Sequence, residues 1–419
     1  MSTLSWIGHE VAELRQAGLL REVDDGEVRR SVQAAAIALG VPFVDGSSND
    51  YLGMGSLGCE GLVGVNEPSD HAKRVQAVSR ETRETDGALP REAEDRDDRF
   101  EPPGAAASRL LGGTRSAHVE LERHLADWVG QPEALLFSSG YSANLGMISA
   151  VARRDDVIFS DSLNHASIVD GCRLSRARTA VFRHLDLGHL SSLLRGERGA
   201  GKRFVVTESY FSMDGDSPDL GAMRDLCDAH EAVLVVDEAH ALGVFGRRGG
   251  GLAREQGARP DIVVGTLGKA VGLHGAFVAS SRDVKEWLWN RARSFVYSTA
   301  MAPSLARQLL FHVKHVQCSE HLRLLLTARV AEARRVLEAH GVGFSDGCHG
   351  PILPIIVGSS AAAKELSDSF RANGILTYPV RPPTVPEGTS RLRFTVSAGT
   401  SEDAFAHLLK QLARLLPTP

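Results

Sequence analysis

The chain has 419 residues and a net charge of −5, with 43% hydrophobic and 24% charged residues, the balance of a soluble globular protein long enough for two or three domains. Net negative charge without basic stretches argues against a nucleic-acid partner, and no apolar run approaches the ~20 residues needed to cross a bilayer. The N-terminus lacks a signal pattern. The scattered cysteines Cys59, Cys172, Cys227, Cys318 and Cys348, with no C-x-x-C pair and no His/Cys cluster, predict reduced thiols in the cytoplasm and no metal site.

Taken in chain order, residues 1–45 read as an N-terminal arm that is largely helical. Residues 67–102 hold eleven acids and seven bases with few large apolar side chains. Such a segment cannot bury enough apolar surface to offset its ordering entropy, so it reads as a solvated insertion. From His118 the pattern turns helical, with Val119, Leu121, Leu125, Trp128 and Val129 on one face. Short Val- and Ile-rich runs follow, at 134–137, 157–159, 204–206, 233–236, 262–264 and 276–278, separated by helix-length segments. This alternation predicts an α/β layered domain around a mainly parallel sheet, spanning residues 46–300. Beyond it, a helical stretch over 303–340, strands at 352–357, 375–378 and 391–396, and a last helix over 402–416 predict a smaller α+β domain, residues 301–419.

Two motifs suggest an ATPase. "AVLVVDEAHALGV" (232–244) contains DEAH, and "GERGAGKR" (196–203) is one letter short of a phosphate-binding loop. Context removes the second. A P-loop follows a strand and opens a helix, whereas 196–203 follows a helical stretch and leads into a strand, and Arg203 stands where a magnesium-binding hydroxyl belongs.

Ligands of open α/β sheets bind beyond the carboxyl ends of the strands. At those ends the sequence places Ser139, Gly140 and Tyr141; His165; Glu208 and Ser212; Asp237 and His240; and Thr266 and Lys269. An anion-binding turn, two histidines, an acid and a lysine on one sheet edge suit pyridoxal 5'-phosphate. That cofactor needs a lysine to carry it, an Asp facing its pyridine nitrogen, and a helix N-terminus for its phosphate.

Eight motifs then resemble one family in order: "SSNDYLGM" (47–54), "LFSSGYSANLGMISA" (136–150), "DSLNHASIVDG" (161–171), "TESYFSMDGD" (207–216), "VVDEAHALGVFGRRGGG" (235–251), "TLGKAVGLHGAFV" (266–278), "VYSTAMAP" (296–303) and "RPPTVPEGTSRLRFTVSA" (381–398). The chain resembles the α-oxoamine synthases, fold type I pyridoxal-phosphate enzymes, and its RPPTVP-x-GT-x-RLR block is most similar to their biotin-pathway branch. The resemblance implies that Lys269 carries the cofactor, Asp237 pairs with the pyridine nitrogen, His240 donates to the phenolic oxygen and His165 stacks on the ring. It implies that Ser139, Gly140, Tyr141 and Thr266 serve the phosphate, with Glu208 and Ser212 also at the cofactor. Ser298 and Thr299 would reach the phosphate of the neighbouring subunit, which implies a homodimer. Asn49, Thr384, Arg393 and Arg21 match positions that meet substrate, with Arg393 as the carboxylate clamp. The implied activity is decarboxylative Claisen condensation of a small amino acid, L-alanine in the biotin branch, with a pimeloyl thioester of CoA or carrier protein.

The chain departs from the family in its glycine-rich loop, "PPGAAASRLLGGT" (102–114), and in the long span from Asn49 to Gly140. Read singly, several residues have plainer meanings. Asp237 could cap a helix, Tyr141 and His240 could be core, Arg393 could form an internal ion pair, and Arg21 could lie on a solvated helix face. A synthase using another acyl chain and a catalytically inactive partner subunit are the rival functions. The presence of Lys269, Asp237, His165 and His240 together weighs against the second.

Overall fold

The computed structural model describes residues 5–17, 19–20, 26–56, 104–199, 201–345 and 347–416. Arg21 and the charged segment 67–102 lie outside the described residues. A short strand, β1 (Val44–Asp45), follows the helices Ser5–Gln16 and Glu27–Leu39. The main sheet is built from β2 (Glu133–Phe137), β3 (Val157–Asp161), β4 (Arg178–Phe182), β5 (Arg203–Glu208), β6 (Ala232–Asp237), β7 (Ile262–Thr266) and β8 (Ala276–Ser280). Its order is β2-β8-β7-β6-β5-β3-β4. Neighbours from β7 to β4 run parallel, and β8 is antiparallel to both β7 and β2. This is the expected mainly parallel α/β sheet with helices on both faces. The strands are apolar because both faces are covered: every residue of β3 and β8 is buried.

Strand β4 gave no sequence signal because it is an edge strand. Only Phe182 of its five residues is buried, and Val181 is 55% exposed. The helix Ser116–Val129 buries Leu121, Leu125, Trp128 and Val129 together with His118 and Glu122. Val119 instead faces outward at 54% exposure. It falls outside the i, i+3, i+4 series of its neighbours, so its placement on the core face was mistaken.

The expected helical stretch 303–340 is two helices, Pro303–Cys318 and Glu320–Ala339. They break at Ser319, where Arg323 Nη1 takes the carbonyl of Val316 (2.7 Å) as a side-chain cap. The remaining strands are β9 (Ile352–Gly358), β10 (Ile375–Leu376), β11 (Pro379–Val380) and β12 (Ser390–Thr395). Strands β11, β12 and β9 form an antiparallel sheet in that order, while β10 pairs in parallel with β1. That last pairing delivers the segment from Asn49 onward to the C-terminal elements. The helix Glu402–Leu415 closes the C-terminal face with Phe405, Leu408 and Leu412 buried.

Among the described residues of the P-loop look-alike, Gly196, Arg198 and Gly199 are exposed and Gly201 is packed against backbone. A Cβ at Gly201 would lie 1.8 Å from the carbonyl oxygen of Asp155, so glycine is required there for close approach rather than for phosphate.

Candidate active site

The carboxyl ends of β5, β6 and β7 deliver Glu208, Asp237 and Thr266, and the loop after β7 carries Lys269. That loop turns at Gly272, whose φ of +79° suits glycine, and whose N–H donates to the carbonyl of Lys269 (2.8 Å). A Cβ at Gly272 would sit 2.5 Å from the backbone N of Gly55. Glycine there lets the Asn49–Met54 segment press against the lysine loop.

Lys269 Nζ lies 2.7 Å from His240 Nε2, and His240 Nδ1 lies 2.7 Å from the hydroxyl of Tyr51. Tyr51 is fully buried. Its hydroxyl is 3.2 Å from Asn49 Oδ1 and 3.4 Å from Arg393 Nη2. Arg393 Nη2 donates to Asn49 Oδ1 (2.9 Å), and Arg393 Nε donates to the carbonyl of Ser212. One hydrogen-bonded series therefore runs from the lysine amine to the guanidinium. Burial lowers the Lys269 amine to about 8, with Arg393 adding to the fall and Asp237 and Glu208 opposing it. Burial also drives His240 well below its ordinary range, helped by the charges of Lys269, Arg393 and His165. His240 is a neutral imidazole.

Asp237 is buried. Asn144 Nδ2 donates to its Oδ2 (2.7 Å) and the N–H of Ala239 to its Oδ1 (2.9 Å). It ends a strand and is followed by turns, so it is no helix cap. No cation lies within ion-pair distance of it among the described residues, and Asn144 Oδ1 is buried without a partner.

His165 is the N-cap of the helix Ala166–Ser175. Its Nδ1 accepts from the N–H of Ser167 (3.2 Å), so the ring's own proton sits on Nε2 when neutral. Burial lowers its proton affinity. Its backbone N–H donates to Glu208 Oε1 (2.6 Å). Burial, reinforced by Asp237, pushes Glu208 up to about 8.

Ser139 caps the helix Gly140–Val151 by accepting from the N–H of Ser142 (3.2 Å). Gly140 and Tyr141 provide the first two helical N–H groups, which helix geometry leaves without an internal partner. A Cβ on Gly140 would stand 3.8 Å from Thr266 Cβ, so this helix end faces the start of the lysine loop. The side chain of Tyr141 is not core. It is 44% exposed, and its hydroxyl donates to Asp170. A phosphate dianion fits this helix end, and a protonated ring nitrogen fits the uncompensated Asp237. A Lys amine of lowered proton affinity fits carbonyl chemistry. The donor set therefore fits pyridoxal phosphate.

The structure separates the two arginines of the RLR motif. Arg391 is paired with Asp214 (2.5 Å). Arg393 is 9% exposed and has no carboxylate within ion-pair distance among the described residues. Thr384 is exposed and lies with Met213 where two cavities, about 910 and about 130 Å³, adjoin. Ser212 meets Arg393 through its carbonyl. Ser298 and Thr299 are not brought to Lys269 within one chain. They line a small separate cavity with Arg109 and Phe137, and Thr299 bridges to Ser108. Tyr51 and Asn144 were not singled out from sequence, although both lie inside quoted motifs, "SSNDYLGM" and "GYSANLG".

Residues 63–412 match the family model Aminotransferase class I and II. An 8-amino-7-oxononanoate synthase from Anaeromyxobacter sp. (strain Fw109-5) is 41% identical over 418 residues, 98% of this chain and 96% of that protein. The chain belongs to the 8-amino-7-oxononanoate synthase family. Among solved structures, serine palmitoyltransferase from S. paucimobilis, with bound PLP, aligns with a TM-score of 0.76 and 25% identity over 94% of this chain and 98% of that one. The 8-amino-7-oxononanoate synthase from Francisella tularensis aligns with a TM-score of 0.68 and 25% identity over 89% and 97%. The chain is a fold type I, pyridoxal-phosphate-dependent acyltransferase, and the ATPase reading of DEAH falls. Among the described residues no helix is long and apolar enough to cross a membrane, and no group of three His, Cys, Asp or Glu side chains could hold a metal ion.

Proposed function

We propose that the chain condenses L-alanine with a pimeloyl thioester, of CoA or carrier protein, giving 8-amino-7-oxononanoate, carbon dioxide and free thiol. The observation that carries this reading is a pair of buried, uncompensated charges of opposite sign, Asp237 and Arg393, both within electrostatic reach of Lys269. Buried charges without partners are costly unless a ligand completes them.

When bound, pyridoxal phosphate supplies an aldehyde that takes the amino group and a ring that accepts an electron pair. Lys269 holds it at rest, and Asp237 keeps a proton on its ring nitrogen. The N–H groups of Gly140 and Tyr141, with Thr266 and Ser139, would hold its phosphate. His240 and Ser212 would serve its phenolic side, and Glu208 would also stand at the cofactor. Arg393, steadied by Asn49, clamps the amino-acid carboxylate that leaves as carbon dioxide. With its amine lowered to about 8, Lys269 removes the α-proton near neutral pH. His165, neutral and carrying its proton on Nε2, polarises the ketone oxygen.

The acyl donor enters by the cleft at Met213 and Thr384. Its walls combine Leu20, Val28, Val32 and Val380 with three cations, Lys364, Arg371 and Arg381, against two acids, Glu27 and Asp368, a net positive lining that supports a methylene chain ending in a carboxylate. Ser298 and Thr299 act across a homodimer interface. The exposed Leu111 and Tyr297, at 81% and 75%, support such a surface. Free thiols at Cys172, Cys227, Cys318 and Cys348 support a cytoplasmic setting.

The test crosses a set of amino acids with a set of acyl thioesters and follows thiol release. Alanine with pimeloyl-CoA or pimeloyl carrier protein should exceed every other pair. A better rate with another acyl chain would overturn the substrate assignment and favour a synthase of a different product.

A further inference from the structure

The hydrogen bonds around Tyr51 obey a strict count. Its hydroxyl has one proton and three neighbours: His240 Nδ1 at 2.7 Å, Asn49 Oδ1 at 3.2 Å and Arg393 Nη2 at 3.4 Å. Arg393 can only donate, and because it donates to Asn49 Oδ1 (2.9 Å), that oxygen can only accept. The Tyr51 proton therefore goes either to His240 Nδ1 or to Asn49 Oδ1. Burial pushes the phenol up to about 12, with Arg393 pulling the other way, so this proton is not lost at any working pH.

His240 faces the same choice from the other side. As a neutral ring it carries one proton. If Lys269 is an ammonium, Nζ donates to His240 Nε2. Nδ1 then holds the ring proton and donates to Tyr51, whose hydroxyl turns to Asn49. If Lys269 is uncharged, Tyr51 can donate to Nδ1, and Nε2–H donates to the lone pair of Lys269 Nζ. Both arrangements satisfy every partner, and a charged Lys269, which cannot accept, admits only the first.

We propose that Tyr51 is a positioning residue whose hydroxyl sets the tautomer of His240, coupling the protonation of Lys269 to the Asn49–Arg393 clamp. Its consequence for turnover rests on the function proposed above; the tautomer coupling does not. In this arrangement His240 Nε2 becomes a hydrogen-bond donor only once the lysine has lost its charge. The groups that bear on the pair come from five elements: Asp237 on β6, Glu208 on β5, His165 at its helix N-cap, Arg393 on β12 and Tyr51 itself.

The test uses the full-length chain freed of cofactor and labelled with ¹⁵N in its histidine rings. The His240 ring proton should move from Nδ1 to Nε2 as pH rises through the Lys269 titration, near 8. Competitive amine labelling of Lys269, read by mass spectrometry, fixes that titration independently. In Tyr51→Phe the tautomer should no longer follow Lys269. In Asn49→Ala the arrangement with Lys269 charged leaves the Tyr51 proton without an acceptor, so the move of the ring proton to Nε2 and the Lys269 titration should both shift to lower pH. If Tyr51→Phe does not fold, Asn49→Ala alone decides. A tautomer that is constant with pH in the native chain, or that follows Lys269 unchanged in both variants, overturns the proposal. Turnover of Tyr51→Phe with alanine and pimeloyl thioester should fall about tenfold, with the Michaelis constant for alanine near native. No turnover of that substrate pair by the native chain, with the tautomer change intact, would instead sink the substrate reading and leave the Tyr51 assignment standing.

Discussion

His184 and His240 both lie behind the carboxyl edge of the main sheet, and their surroundings drive them in opposite directions. His184 Nδ1 meets Asp161 Oδ1 at 2.9 Å and its Nε2 meets Asp216 Oδ2 at 3.3 Å. Burial opposes its charge, yet the two carboxylates outweigh burial and push it up to about 10. His240 has no carboxylate partner among the described residues. Burial and the charges of Lys269, Arg393 and His165 push it well below its ordinary range. The difference shows that carboxylate partners can outweigh burial, and that where none faces the ring burial wins. It also divides labour. A fixed cation at His184 ties the end of β3, which leads to His165, to the loop after β5, which carries Ser212. The neutral His240 is left free to exchange a proton with Lys269.

The sharpest way to break the His240 side is to remove Asp237, the stronger of the two acids that support the charge of Lys269. Asp237→Asn keeps a group that can pair with Asn144 and Ala239, so the fold should survive. Activity should fall on the order of 10²–10³-fold, the usual cost of losing a preorganised electrostatic partner. Without that carboxylate the Lys269 amine should titrate below about 8, because Asp237 raises it. Turnover, a thermal melt and amine labelling together check this. Native turnover would show that Asp237 is structural.

On the other side, His184→Gln leaves Asp161 and Asp216 facing each other without a cation. Breaking a buried charge pair in this way costs about 3 kcal/mol. The sign with pH follows from the upward shift. In the native chain the stabilisation is fully present below the unfolded value of 6.5 and is lost as pH rises through about 10. The stability gap between native and variant should therefore be widest near pH 6 and close toward pH 10. Denaturant melts across that range measure it. A gap that does not vary with pH would mean that His184 is held by packing against Phe211, whose ring is 4.4 Å away, rather than by charge.

The floor of the site was legible in the sequence because the parallel sheet imposes it. Strand runs end at Glu208, Asp237 and Thr266, and sheet topology brings those ends together without further information. The rim was legible only through motif resemblance. Asn49 and Arg393 are 344 positions apart, and no local pattern announces that β1 pairs with β10. Tyr51 and His184 were missed for a related reason: their roles come from partners distant in sequence, which nothing in their own neighbourhoods announces. Val119 was misplaced because a helical face was drawn one position too wide, and β4 because an edge strand need not be apolar.

The smallest expected effect refines the charged side. Asp216→Asn removes one of the two carboxylates and keeps its shape. Asp161 is the poorer target, since its carboxylate also accepts from the N–H groups of Leu163 and Leu185, so its loss would disturb the backbone as well as the charge. The Asp216 contact is also the longer one, 3.3 Å against 2.9 Å. His184 should then titrate below about 10 but still above its ordinary range, with a stability loss of about 1 kcal/mol, since one pKa unit corresponds to about 1.4 kcal/mol. Turnover should stay near native, because one carboxylate still ties His184 to the loop that leads to His165. An NMR titration of the His184 ring reads the shift directly. A titration unchanged from native would assign the whole charge to Asp161, whereas a fall to the ordinary histidine range would show that the longer contact carries it.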